Sequence, residues 1–550
     1  MLLLLLLVLI SASLAKLPRE YELFIEYRRT QDPQIAYRIL KDYPDAVFKN
    51  DLLVLLAKDV VAKGREDEAR RLLDTVEPKK VKEDYRDDLL SLWKALNLDK
   101  KKALLEDPVL FREFIPQVEL TTEEAIRVAD TLYRFRYYRD VVKLLERVDF
   151  EKACYLLGLS MRALGDEGNA VEVLKRCPDQ RATGELALLY FYMGQEELLQ
   201  DALSQIKDRS LLSNTFLRLG RISISRGNYT KAVEYLMRME DSYDKFFHLG
   251  LAYFATKKYE RALESFLSSL SFAQRDEQRS ASNFWVYKCK VELGHEDATA
   301  YLIKASNGAG FYYAVASRFL NLPVASKALR TVVEDSTFPK TAEVIRSIHD
   351  AGFPYYARLE AFKRLGEMSA TDVLSIRKFD PYLAIKLAIR KYGYGSMVYN
   401  MVAFPKPYKD YVFKASELYQ IDPALIYAVM RQESLFDPNA TSVAKARGLM
   451  QLIDSTAKQV AKKENIQLKN VYDPETNIKL GTAYLRELLD MWNGDLVKAI
   501  ASYNAGPTRV KAFTPHEDQF VFIESIPLRE TREYVKRVLY NYYVYSELLE

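Results

Sequence analysis

The feature that most constrains this chain is a window of about thirty residues that recurs along its N-terminal half. A small residue is followed seven positions later by a frequent Gly and twelve positions later by Ala, Val or Leu, with windows beginning at Ala57, Ala129, Gly158, Ala187, Gly220 and Gly250. From Ala129 onward the successive starts lie 29, 29, 33 and 30 residues apart. The clearest pair is GRISISRGNYTKAVEYL, from Gly220, against GLAYFATKKYERALESF, from Gly250. Each window reads as a helical hairpin. Small residues at the start and twelve later let two antiparallel helices approach closely, and the Gly between them (Gly64, Gly165, Gly194, Gly227) suits the left-handed position that ends a first helix. One hairpin cannot bury its apolar face alone, so such units stack into a solenoid.

The period is slightly shorter than the ~34 residues of tetratricopeptide (TPR) units. The repeats alone leave open whether they form a concave binding surface or a spacer that positions another domain. Cys154 and Cys177 lie near the start of the first helix and the end of the second helix of one window, so the hairpin sets them side by side. A disulfide and two buried free thiols both fit, with Cys289 unpaired either way. Beyond Phe272 the pattern decays, although Gly310 to Leu322 and the stretch from Pro323 to Tyr399 still read as helices. Two prolines in Phe404-Pro405-Lys406-Pro407 mark a boundary that no helix crosses.

The 550 residues suit three or four domains, and 49% hydrophobic with 28% charged residues describes a folded, globular chain. A formal net charge of +4 is too balanced for nucleic acid or an anionic membrane to be the main partner. Three cysteines and four scattered histidines show no metal-ligand spacing, and no phosphate-binding glycine motif is present, so no metal or cofactor is expected. Met1 to Ile10 are almost all leucine and lead into Ser11-Ala12-Ser13-Leu14-Ala15. This reads as a secretory signal over residues 1–15, cleaved after Ala15, with an uncleaved anchor as the alternative. No later run of 18 apolar residues occurs, so the mature chain is expected to lack a transmembrane span.

From Pro407 the texture changes to dense, non-repeating motifs. Asp422-Pro423 is a helix start that opens DPALIYAVMRQES. Its apolar face runs through Leu425, Ile426, Val429 and Met430, and Glu433 falls next on that face. Burial there raises a carboxyl pKa, the condition a general acid needs at neutral pH. Downstream come Asp437-Pro438, Ser442, Gly448-Leu449-Met450-Gln451, Asn477-Ile478 with Leu480-Gly481 and Tyr484-Leu485, Ala501-Ser502-Tyr503-Asn504-Ala505-Gly506-Pro507, and Glu524-Ser525-Ile526-Pro527 leading to Glu530 through Val535.

In this order and spacing, the block from about Pro407 to the C-terminus resembles the catalytic domain of soluble lytic murein transglycosylases, whose fold is like that of goose-type lysozyme. A helical superhelix in front of it resembles the long exported members of that family. The resemblance implies an all-α chain: an α-solenoid of TPR-like hairpins over residues 16–325, a helical linker region over 326–405, and a mostly helical, lysozyme-like catalytic domain over 406–550. It implies cleavage of the β-1,4 bond between N-acetylmuramic acid and N-acetylglucosamine in peptidoglycan, in the periplasm, leaving a 1,6-anhydromuramoyl end. Glu433 matches the single catalytic acid, which protonates the glycosidic oxygen and then, as a carboxylate, takes the proton of the attacking C6 hydroxyl. Ser442 and Gln451 match residues lining the sugar cleft, and Tyr503 and Asn504 match its floor. Glu530 matches a glutamate on the glucosamine side, with Tyr534 one helical turn beyond. Ile453 departs from the methionine often found there. Glycan strands are the implied partner, and the solenoid is a candidate surface for cell-wall synthesis proteins. Two alternatives remain at this point. One is a lysozyme-type hydrolase, for whose second carboxylate Asp437 and Glu530 are the nearby candidates. The other is an exported scaffold whose C-terminal domain only binds glycan.

Overall fold

A computed structural model describes residues 17–325 and 339–550; the proposed signal segment and the first part of the linker region lie outside the described residues. The described residues are all-α, with isolated bridges at Thr441–Arg447 and Arg447–Leu452 as the β-type pairings. None of their helices is long and apolar enough to cross a membrane. Contacts group the chain into two units, residues up to 205 with 339–379, and 206–325 with 380–550.

In the first unit, helices pair in sequence as antiparallel hairpins, such as Thr122–Arg134 with Tyr138–Leu145 and Phe150–Ala163 with Glu167–Lys175. The repeat signature has a direct packing cause. Ala57, Ala129 and Ala187 are fully buried, as are Ala69, Val141 and Ala170 twelve positions after their respective windows begin. A methyl group on Gly158 would sit 2.5 Å from the Leu174 side chain, sixteen positions on in the partner helix. Cys154 and Cys177 are joined by a disulfide across a separation of 23 residues. A closed loop of that length stabilises the fold by about 3 kcal/mol in the chain-entropy account. Segment 339–379 packs on the first helices: Tyr356 donates to the buried Asp51 carboxylate (2.7 Å), and the Phe24 and Phe48 rings stack at 4.3 Å beside Phe353.

In the second unit, the hairpins Arg209–Ser225 with Tyr229–Met237 and Tyr243–Ala255 with Tyr259–Ser271 repeat the pattern, and methyl groups on Gly220 and Gly250 would each meet the partner helix at 2.7 Å. The left-handed turn is not confined to glycine: Arg136 (φ 64°) and Lys257 (φ 59°) occupy the same place in their windows. The repeat also outlasts its signature. Asp276–Glu292 and Ala298–Ala305 form a further hairpin with a left-handed turn at Gly294 (φ 71°), yet Tyr287 stands where the others carry Gly or Ala.

Residues 514–520 of this unit's C-terminal block lie against these hairpins. Thr514 lies against Gly227, Glu517 pairs with Lys257 (3.0 Å), Asp518 accepts from Lys288 (2.5 Å), and the Phe520 ring meets Phe284 at 4.9 Å. Behind it, the buried Glu524 carboxylate accepts from Tyr312 (2.7 Å) and pairs with Lys536 (2.7 Å) of the C-terminal helix.

Candidate active site

The helix Pro423–Ser434 starts as expected, with the Asp422 carboxylate accepting the Ala424 N–H (2.9 Å) and Pro423 in the first turn. It is buried along nearly its whole surface, Ala424 through Met430 without a break, rather than along one stripe. The C-terminal helix Arg529–Leu549 packs along it. Immediately after Ser434 the chain turns through two left-handed residues, Leu435 (φ 50°) and Phe436 (φ 70°). Each costs on the order of 1 kcal/mol for a side-chain-bearing residue. The Ser434 hydroxyl holds the turn: it accepts the Phe436 N–H (3.1 Å) and donates to the Leu449 carbonyl (2.8 Å).

Glu433 therefore stands at the end of a buried helix, itself only partly exposed. Its Oε1 accepts a hydrogen bond from the Tyr534 phenol at 2.6 Å. Burial raises its pKa to about 7; the Tyr534 bond works against that shift, and the Glu530 charge adds to it. Tyr534 is itself 5% exposed, and its phenol is pushed well above the usual range, first by burial and then by the Glu433 charge. The same two causes act on Tyr503, whose hydroxyl donates to the Met450 carbonyl (2.9 Å) and whose ring lies 5.4 Å from that of Tyr484.

The structure thus brings Glu433, Tyr503, Glu530 and Tyr534 together. The other predicted residues have structural duties and no hydrogen bond or charge coupling to Glu433. The Ser442 hydroxyl accepts the Ala446 N–H within its own loop (3.0 Å). The Gln451 amide nitrogen donates to the carbonyls of Ala440 (3.0 Å) and Gly448 (2.9 Å). Asn504 accepts from the Thr531 hydroxyl (2.7 Å), which ties the Tyr503 helix to the helix that carries Tyr534.

One residue had no predicted role. Asn477, fully buried in the helix Pro474–Met491, accepts the Met450 N–H (2.7 Å) and donates to the carbonyls of Val471 (2.8 Å) and Arg447 (3.1 Å). A methyl group on Gly448 (φ +78°) would lie 2.3 Å from its amide nitrogen, so glycine is required there for close approach as well as for backbone angle. The signal was present: Asn477, Gly481 and Tyr484 fall on one helix face, and a buried Asn there must find partners. Asn477→Ala strands three buried backbone groups and is expected to cost about 3 kcal/mol or more, read as a lowered denaturation midpoint.

The family model for the transglycosylase SLT domain matches residues 410–519. The chain carries an SLT domain. It is 30% identical over 302 residues to a putative soluble lytic murein transglycosylase of Haemophilus influenzae, covering 51% of this chain and 49% of that one. Over 144 residues it is 38% identical to the soluble lytic murein transglycosylase of Escherichia coli, covering 25% and 22%. The chain thus spans about half and about a fifth of the length of these two relatives. The crystal structure of the 70 kDa soluble lytic transglycosylase from Escherichia coli shares the fold with a TM-score of 0.58 at 19% identity, covering 96% of this chain and 92% of that one. The matched segment of the SLT domain holds Glu433, Ser442, Gln451, Tyr503 and Asn504, whereas Glu530 and Tyr534 lie beyond its end.

Proposed function

We propose that this chain is an exported lytic transglycosylase that cleaves the β-1,4 bond between N-acetylmuramic acid and N-acetylglucosamine in peptidoglycan and leaves a 1,6-anhydromuramoyl end. The observation that carries this reading is the Glu433 carboxyl: its pKa of about 7 keeps a large share of it protonated at neutral pH, and Tyr534 fixes its orientation. Protonated Glu433 gives its proton to the glycosidic oxygen as the bond to the anomeric carbon breaks. The resulting carboxylate, stabilised by the Tyr534 donor, then takes the proton of the C6 hydroxyl as that oxygen bonds to the same anomeric carbon. One carboxyl group ends as it began, and no water is consumed. The names of the relatives support the substrate class.

The same reading assigns residues 1–15 as the signal, 16–325 as the solenoid, 326–405 as the linker region and 406–550 as the catalytic domain. It places the chain in the periplasm, where a Cys154–Cys177 disulfide is at home. Glycan strands are its partner, and Ser442, Gln451, Asn504 and Glu530 are proposed to line the sugar cleft around Glu433 and Tyr503. Digestion of purified peptidoglycan with mass analysis of the products tests the reaction. Anhydro ends are expected; ends heavier by one water would mark a hydrolase instead. Tyr534→Phe removes a donor that favours the charged carboxylate, so the Glu433 pKa rises. The limb on which activity falls with rising pH is then expected to move up by about one pH unit in a kcat/KM profile.

A further inference from the structure

Tyr534 reaches Glu433 from a different helix, so the bond between them depends on how the C-terminal helix Arg529–Leu549 is aligned along the helix Pro423–Ser434. The two run antiparallel: Tyr534 meets Glu433, Asn541 meets Arg431 and Ala428, and the Tyr545 ring stacks on Tyr427 at 5.2 Å. The C-terminal helix also buries Val535, Val538, Leu539 and Val544. Apolar contacts are non-directional and specify alignment weakly, whereas a buried polar group that finds its partners in one alignment specifies it strongly. The alignment matters here. A slide of one turn moves a side chain about 5.4 Å, twice the length of the Tyr534–Glu433 bond (2.6 Å).

Asn541 is such a polar group. It is 1% exposed and stands seven residues after Tyr534, on the same helix face. Its side-chain oxygen accepts from Arg431 (3.1 Å) and its amide nitrogen donates to the Ala428 carbonyl (3.4 Å), so both bonds cross directly to Pro423–Ser434. Arg431, two residues before Glu433, is itself held from other sides: it donates to the Ala403 carbonyl (2.7 Å) and the Tyr399 hydroxyl (3.1 Å), and its guanidinium lies over the Phe404 ring at 4.1 Å. Among the described residues it has no carboxylate partner, so neutral acceptors fix the direction of its planar donor fork. Farther along the C-terminal helix, Tyr542 reaches Asp422 at an exposed position (2.8 Å), and Tyr545 reaches the Pro405 carbonyl outside the helix (2.9 Å).

Resting on the role proposed above for Glu433, we propose that Arg431 and Asn541 are positioning residues: their pairing locks the register of the C-terminal helix against the helix Pro423–Ser434 and so holds the Tyr534 hydroxyl on the Glu433 carboxyl. Neither residue touches the reacting atoms. Both act through Tyr534.

The test compares pH profiles of kcat/KM on purified peptidoglycan for full-length variants. The groups coupled to Glu433 are Tyr534 and Glu530 on the C-terminal helix and Tyr503 on the helix Leu496–Ala505, and the Tyr534 bond outweighs the Glu530 charge. Asn541→Leu removes both crossing bonds at similar volume and is expected to move the limb on which activity falls with rising pH upward, as Tyr534→Phe does, by up to about one pH unit. Asn541→Leu combined with Tyr534→Phe is expected to move it no further up than Tyr534→Phe alone, because both remove the same donor. Val544→Ala opens a cavity at a fully buried site of the same helix; it is expected to lower the denaturation midpoint and leave the limb in place. Arg431→Met keeps an apolar stem over Phe404, is expected to shift the limb in the same direction, and keeps the test available should Asn541→Leu fold poorly. An unmoved limb in Asn541→Leu and Arg431→Met, a full added shift in the combined variant, or an equal shift in Val544→Ala overturns the proposal. A second readout needs no substrate: the upper end of the pH window over which Glu433→Gln gains stability is expected to rise by the same amount in the Asn541→Leu background. A chain that leaves no anhydro ends yet shows this rise would lose the proposed reaction and keep the register lock.

Discussion

Glu433→Gln is expected to lower the rate of peptidoglycan cleavage by about a thousandfold or more while the chain still binds glycan strands. The amide keeps the shape and the oxygen that accepts the Tyr534 hydrogen bond (2.6 Å), but it has no proton to transfer. General acid–base catalysis by one positioned group is worth about 10²–10⁴-fold. Here the same group serves both proton transfers, so the upper part of that range applies. Product release from purified peptidoglycan and co-sedimentation of the variant with it check the two halves separately. Cleavage at the wild-type rate would remove Glu433 from the mechanism.

The same substitution is expected to stabilise the protein, and only above a certain pH. The Glu433 pKa is raised from 4.5 to about 7 in the folded chain, mainly by burial. Below pH 4.5 both folded and unfolded states hold the proton, and the carboxyl carries no penalty. Between 4.5 and about 7 the unfolded chain releases its proton while the folded chain keeps it, so stability falls; above about 7 the loss is complete. At roughly 1.4 kcal/mol per unit, the wild type loses up to about 3 kcal/mol over this window, and Glu433→Gln does not. Denaturation of both proteins at pH 4 and pH 8 should therefore show similar stabilities at the first and a more stable variant at the second. A constant difference across that range would mean that the carboxyl is not desolvated.

Helices, repeats and the position of the acid were readable because each depends on spacing along the chain. Small residues in the repeat windows, Asp422 before Pro423, and Glu433 at the end of an apolar run are local patterns with local causes. The hairpin at Gly294 escaped because the pattern keyed on a small residue for close crossing, and this hairpin has Tyr287 there. Arg136 and Lys257 escaped because a left-handed turn is strained but not forbidden to side-chain-bearing residues. The bond from Tyr534 to Glu433 spans 101 residues, and the Asn477 clamp on Met450 spans 27. Such pairings are set by how helices pack, which periodicity along one helix does not encode. Sequence likewise offered Gln451 and Ser442 as groups lining a cleft, whereas much of their hydrogen-bonding capacity is spent inside their own loop.

The segment from Thr514 to Phe520 bears on any attempt to produce the C-terminal block alone. A cut at Pro405 looks natural from the prolines, but it would strip Phe520 of the Phe284 ring and leave Glu524 without the Tyr312 hydroxyl. Recombinant fragments that begin near residue 406 would bare an apolar face and an underpaired acid, inviting self-association. Fragments that begin near residue 206 would retain both partners.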